Sequence, residues 1–253
     1  MSWIIEEQED VRVLTMNSSK TNAMNPDFCR ELTARLDELE ASGPHPLVLT
    51  GTGSTYSAGL DLPLLSGMNR QELAGFFKLL DEALLKLYHY PAPVVAAVNG
   101  HAIAGGAVLA LTCDSRVMAR GSGNFGLREV QVGVSFPSVP FELTRAAIPR
   151  DQEREVLLFG TLFKSDEALK RGLVDEVAEA DDLIASAARR AGRISADSLP
   201  AYAIVKSQIN RVATERIAAH QQADDENFLD NWFSEAGQRR VAAIIAEFKK
   251  KKK

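Results

Sequence analysis

Three short segments hold the residue types from which a reaction centre could be built. Ala104-Gly105-Gly106-Ala107 runs straight into Val108, Leu109, Ala110 and Leu111, a stretch apolar on every side that predicts a buried helix. Two glycines at the front of a buried helix weaken it, and are useful where something must approach the backbone closely. The first amides of such a helix lack an intrahelical acceptor and carry partial positive charge, so a developing anion is a natural occupant. A close helix–strand contact that needs small residues explains the same glycines and stays open at this point. Ser57-Ala58-Gly59 also follows a strand and loop, and can present a second free amide. Two amides aimed at one oxygen make an oxyanion hole, each donor worth roughly 2.7–4 kcal/mol of barrier. The third segment, Phe125 to Gly133, is short and irregular and carries Arg128 and Glu129.

These segments need a scaffold, and the hydrophobic periodicity supplies one. Val94 to Val98 is a β-branched buried strand broken by Asn99-Gly100. Trp3 to Glu7 and Val11 to Met16 predict a hairpin, Leu47 to Thr50 a buried strand, Ser115 to Ala119 another, and Leu173 to Val177 a last one. Asn25-Pro26-Asp27 opens a helix with a cap, proline at its first position and an acid in its first turn. Gln71 to Tyr90 is a long amphipathic helix stopped by Pro91 and Pro93. Short helices follow over 141–148, 152–159 and 165–170, then helices over 181–194, 199–222 and 228–248. Strand–helix alternation in the first half predicts an α/β architecture with parallel strands and crossover helices. The last third is all helix, and either packs on its own core or covers a neighbouring subunit.

Bulk properties narrow the function classes. The chain has 253 residues, 45% of them hydrophobic and 25% charged, an ordinary globular mixture. A net charge of -5 without a basic face argues against nucleic acid as partner. The one basic run, Lys249 to Lys253, predicts a solvated end rather than an anion-binding arm. Two cysteines, Cys29 and Cys113, show no CxxC spacing, so a reduced cytoplasmic setting is expected. The N-terminus lacks signal-peptide character, and no window approaches the roughly 20 apolar residues of a membrane span. Four scattered histidines predict no metal site.

Taken together, the segments resemble the crotonase (enoyl-CoA hydratase/isomerase) superfamily over nearly the whole chain. Lys20-Thr21-Asn22-Ala23 is similar to its early CoA-contacting segment, Tyr56 to Leu62 to its first oxyanion segment, and Pro93 to Gly106 to its second. Asp114 to Ala119 and Phe125 to Gly133 follow at the family's spacing. The resemblance implies a spiral of ββα repeats over residues 1–195 with a helical trimerisation region over 196–253. It implies an acyl-CoA thioester as substrate, no separate cofactor, and a homotrimer or dimer of trimers. It further implies that the Ala58 and Gly105 amides hold the thioester oxygen, and that Lys20, Ala23, Ser57, Ala58, Gly59, Leu60, Asp61 and Gly105 line the CoA thioester.

The acids carry the finer expectation. Hydratases of this family place one glutamate just after the second glycine segment, where this chain has Val108, and another at the position of Glu129. Adding water to a double bond generally asks one group to activate the water and another to handle the α-proton. Moving a double bond from C3 to C2 asks only one base, and the chain most resembles the Δ3,Δ2-enoyl-CoA isomerases that use a single glutamate there. Dienoyl-CoA isomerases carry a further acid eight residues on, and here that residue is Pro137. Glu129, flanked by Val130, Val132 and Phe136, is the expected proton shuttle, its apolar setting favouring a carboxyl that both gives and takes a proton. A surface pair with Arg128 is the competing role for Glu129. Arg128 could alternatively bind a polar acyl end. Asp61 is as well suited to cap a following helix as to touch substrate, and His101 suits packing. Pocket walls are expected from 62–77 and 134–141. The aromatics Tyr88, Tyr90, Phe228, Trp232 and Phe233 are expected in the core and at subunit contacts.

Overall fold

The computed structural model describes residues 3–121 and 123–251. Among these described residues, nine strands form two sheets. The strands are β1 (Ile4–Gln8), β2 (Val11–Met16), β3 (Leu47–Gly51), β4 (Thr55–Ser57), β5 (Val94–Val98), β6 (His101–Ile103), β7 (Ser115–Ala119), β8 (Phe125–Gly126) and β9 (Glu176–Ala178). The larger sheet has the order β1-β2-β3-β5-β7-β9, the smaller β4-β6-β8. Among the strands of the described residues, β1 and β2 pair antiparallel and the other strand pairs are parallel, with Leu47 opposite Val94 and Val95 opposite Ser115. Successive strands β3–β4, β5–β6 and β7–β8 each contribute one strand to each sheet, with helices between them. This is the spiral of ββα units that the sequence resemblance implies.

The helices are α1 (Pro26–Ala41), α2 (Leu62–Leu65), α3 (Arg70–Tyr88), α4 (Gly105–Thr112), α5 (Glu129–Val132), α6 (Ser138–Ala147), α7 (Glu153–Leu157), α8 (Ser165–Lys170), α9 (Leu183–Ala191), α10 (Leu199–Phe233) and α11 (Glu235–Lys251). Their starts follow from local chemistry. Asn25 Oδ1 accepts the Phe28 amide at 2.9 Å ahead of Pro26, and Asn69 with Glu72 forms a reciprocal capping box on α3. Strands β3 and β5 are wholly buried because helices cover both faces of their sheet. On one side Val48, Val95 and Val117 pack with Leu183, Ala187 and Ala191 of α9; on the other, Leu49 and Ala96 join the large core shared with α1, α3 and α4. Helix α4 is buried along almost its full length, as its all-apolar composition predicts.

Three expectations are corrected. Strand β6 was not visible in the sequence, since it is three residues long and starts right after the Asn99-Gly100 break. The last strand begins at Glu176, not Leu173; Leu173 and Val174 are buried in the turn after α8, whose capping bonds to Ala168 hold them off the sheet. The helix expected to stop at Gln222 continues unbroken to Phe233. No glycine or proline lies between Ala201 and Phe233, so the acidic Asp224-Asp225-Glu226 stays inside the helix. Helix α11 reaches Lys251, and Lys252 and Lys253 lie outside the described residues.

Candidate active site

The two small-residue segments meet. Gly59 has φ +83°, and a Cβ there would lie 2.8 Å from the Gly105 nitrogen and 2.8 Å from the Ile103 oxygen. A Cβ on Gly105 would sit 3.6 Å from the Leu60 nitrogen. Only glycine allows this crossing. At Gly106 a Cβ would fall 2.1 Å from the Ser57 oxygen, so the close helix–strand contact is real as well. Both readings of the glycines hold, at adjacent positions.

Backbone hydrogen bonds decide which amides are available, and they correct the assignment of Ala58. Its N–H donates to the Thr21 carbonyl at 3.0 Å. The Gly59 N–H donates to Ser57 Oγ at 3.2 Å, and the Asp61 N–H to the Met24 carbonyl at 2.9 Å. Met24 and Leu60 form a parallel bridge that uses the Gly59 carbonyl and the Asp61 amide. The Leu60 amide is left without an acceptor among the described residues. So is the Gly105 amide, which heads α4 where no intrahelical acceptor exists. Ala104 directs that peptide from φ +54°, ψ −127°, a left-handed conformation that an L-residue adopts only under constraint.

Leu60 and Gly105, which carry these two amides, both line a cavity of about 40 Å³ that Glu129 also lines. Its base is Met24, Leu60, Gly105 and Val108; Phe77, Leu80 and Leu84 come from α3; Val134, Ser135, Phe136, Pro137 and Pro140 form one wall, and Phe228 of α10 closes it. Phe228 stacks edge-on against Phe77 at 4.6 Å between ring centroids. Glu129 heads α5, its carbonyl accepting the Val134 amide at 3.0 Å. The residue as a whole is half-exposed, but its Oε2 is buried with no hydrogen-bond partner among the described residues. Burial pushes its carboxyl up to about 7, against a smaller opposing pull from the Glu129 and Arg128 amides. Arg128 turns outward to Gln131 at 2.6 Å and does not pair with Glu129.

The remaining candidates divide. Asp61 caps α2, its Oδ1 accepting the Leu64 amide at 3.2 Å. Ser57 is structural, its hydroxyl donating to the Asn22 carbonyl at 2.8 Å. Ala23 is anchored by Ser19 Oγ next to Met24, whereas Lys20 is exposed on the preceding turn. His101 Nδ1 accepts the Asn124 amide at 3.3 Å, a structural bond. Tyr90 and Trp232 are core, but Phe228, expected there too, is also a cavity wall. The wall expected over 62–77 is reduced to Phe77, while 134–141 supplies five lining residues. Sequence reasoning missed Leu80, Leu84 and Phe228 as lining, because the periodicity of a helix marks its buried face without saying which part of that face borders a void. A larger cavity of about 350 Å³ lies between Tyr88, Arg116, Tyr202 and Lys206. Its lysine is already paired with Asp114 at 2.8 Å, and neither glycine segment reaches it.

Residues 6–253 match the family described as enoyl-CoA hydratase/isomerase. The chain belongs to that family. Within it, the chain is 28% identical to human mitochondrial enoyl-CoA delta isomerase 1, over 96% of this chain and 81% of that protein. It is 32% identical to the short-chain-enoyl-CoA hydratase of Clostridium acetobutylicum, over 97% and 95%. The crystal structure of human mitochondrial delta3-delta2-enoyl-CoA isomerase superposes with a TM-score of 0.93 and 28% identity, covering 100% of both chains. An enzyme of the enoyl-CoA hydratase/isomerase family is thus established, and isomerase and hydratase relatives stand at similar identity. Among the described residues no helix is long and apolar enough to cross a membrane.

Proposed function

We propose that this enzyme isomerises a 3-enoyl-CoA thioester to the 2-enoyl thioester, with Glu129 as its only proton-transfer group. One observation carries the reading: among the residues lining the cavity, Glu129 alone is ionisable, and Val108 lines it at the position where the hydratases that the chain resembles carry a second glutamate. Glu129 as carboxylate takes the C2 proton. The electron pair moves into the thioester, whose oxygen receives hydrogen bonds from the Leu60 and Gly105 amides. Protonated Glu129 then returns the proton to C4, and the double bond comes to rest between C2 and C3. A carboxyl near neutrality suits both halves of this cycle. The fixed amides need no reorganisation as charge develops. CoA enters as part of the substrate, past Ala23 and Lys20, and no separate cofactor is needed.

The match to a short-chain hydratase keeps hydration as the second reading. Formation of the conjugated thioester from 3-enoyl-CoA, followed by absorbance, separates the two. Rapid isomerisation with little loss of conjugation from 2-enoyl-CoA supports the isomerase, and the reverse pattern overturns it. We further propose a homotrimer, the exposed apolar face of α10 serving as contact. Ile204, Val205, Ile209 and Val212 are 52–72% exposed there, more apolar surface than a solvated helix face carries. Ile209→Glu should sediment as a monomer where the wild type sediments as a trimer; a monomeric wild type sinks this part.

A further inference from the structure

Two side-chain oxygens on the residues lining the cavity are buried without a hydrogen-bond partner among the described residues, Glu129 Oε2 and Ser135 Oγ. The proposed reaction uses Glu129. It has no task for Ser135. A buried hydroxyl left unpaired costs about 1–3 kcal/mol, and folded proteins keep few of them without a reason.

This hydroxyl is not a by-product of a loose loop. The Ser135 amide donates to Asn231 Oδ1 of α10 at 2.8 Å. Three residues on, the Ser138 amide donates to Asp225 Oδ1 at 2.9 Å, so α10 holds the wall at two points. On the other side the Val134 amide is bound by the Glu129 carbonyl at 3.0 Å. Serine is thus held in a wall whose other side chains are hydrocarbon.

We propose that Ser135 is a specificity-determining residue that hydrogen-bonds an oxygen carried by the acyl chain. The preferred substrates are then 3-enoyl thioesters bearing a hydroxyl or carbonyl beyond the double bond. The inference rests on the enoyl thioester reading above. A serine hydroxyl both donates and accepts, so either oxygen type satisfies it. A plain hydrocarbon chain would bury the hydroxyl unpaired, and a site built around such a group discriminates against ligands that lack the partner. Water is the competing occupant, since about 40 Å³ is room enough for it.

The test compares kcat/KM of the wild type, Ser135→Ala and Ser135→Thr on an unsubstituted 3-enoyl-CoA and on the same chain with a terminal hydroxyl or keto group. The wild type should favour the oxygenated chains by roughly tenfold or more. Ser135→Ala should lose that preference through a raised KM for the oxygenated substrates and a lowered KM for the unsubstituted one, whose chain no longer buries an unpaired hydroxyl. Ser135→Thr, which keeps the hydroxyl, should retain it. No preference in the wild type, or an equal loss on both substrates in Ser135→Ala, overturns the assignment and leaves a structural or water-binding serine. Failure of the wild type to turn over the unsubstituted thioester would instead remove the isomerase reading, and this inference with it.

Discussion

In the proposed isomerisation the chemistry turns on Glu129, and its environment makes two outcomes predictable. Because burial raises its carboxyl to about 7, kcat/KM for isomerisation should rise as pH increases through that value and level off above it, since the free enzyme needs the carboxylate. Glu129→Gln keeps the shape and removes the base, and turnover should fall by roughly 10²–10⁴-fold; unchanged turnover would sink the role. Asp81 of α3 is the second displaced acid. It is 5% exposed, accepts from Gln221 of α10 at 3.0 Å, and is pushed up to about 8 by burial and by the neighbouring Asp225. The folded protein therefore holds a proton on Asp81 over a range where the unfolded chain, with its carboxyl near about 3.9, has lost it. Stability should fall as pH rises from about 4 to about 8 and then flatten. Asp81→Asn should reduce that slope, with the largest gain in melting temperature on the alkaline side; an unchanged slope would remove Asp81 as its source. The resemblance to the family singled out Glu129 and Val108, because their side-chain types can be compared position by position with the family's two acids. It could not separate Ala58 from Leu60 as donor, because a backbone amide has the same chemistry at every position and only its acceptor distinguishes it.

The elements around the glycines position those amides, and their tolerance is narrow. Gly59→Ala would combine a left-handed φ of +83° with a Cβ 2.8 Å from the Gly105 nitrogen. The expected result is loss of roughly a hundredfold or more in kcat, the scale of one oxyanion donor, with a lower melting temperature. Wild-type turnover in a folded Gly59→Ala protein would show that Gly105 is not a donor. Much of this element level was legible beforehand. Asn25-Pro26 and the apolar run of α4 announced their helices, and β3, β5 and β7 announced themselves as buried strands. What escaped were β4, β6 and β8, the whole smaller sheet, and the true start of β9, each of them two or three residues long. Segments that short are held by a register set from outside, His101 to Ile103 lying between β4 and β8.

At the scale of the whole molecule, the C-terminal helices complete the site of their own chain. Helix α10 contributes Phe228 to the cavity, fixes the wall through Asn231 and Asp225, and binds the start of α3 through Arg70 to Glu226 and Asp230 at 2.7 and 2.8 Å. Phe228→Ala should cost about 3–5 kcal/mol of stability and open the cavity, raising KM for short chains more than it lowers kcat; an unaltered melting temperature would show that α10 does not seal the core. The sequence by itself determined the α/β class, the two glycine segments and, through their combined motifs, the resemblance to the family, which in turn marked the acid at 129 and the valine at 108; residue type and local spacing are enough to carry these. The tertiary structure alone decided that Leu60 rather than Ala58 has a free amide, that Arg128 turns away from Glu129, that Asp61 is a cap, and that a helix about a hundred residues downstream of Glu129 closes the cavity. Those outcomes depend on which acceptor, void or partner each group meets in space, and hydrogen bonding and desolvation act on that proximity, not on order along the chain.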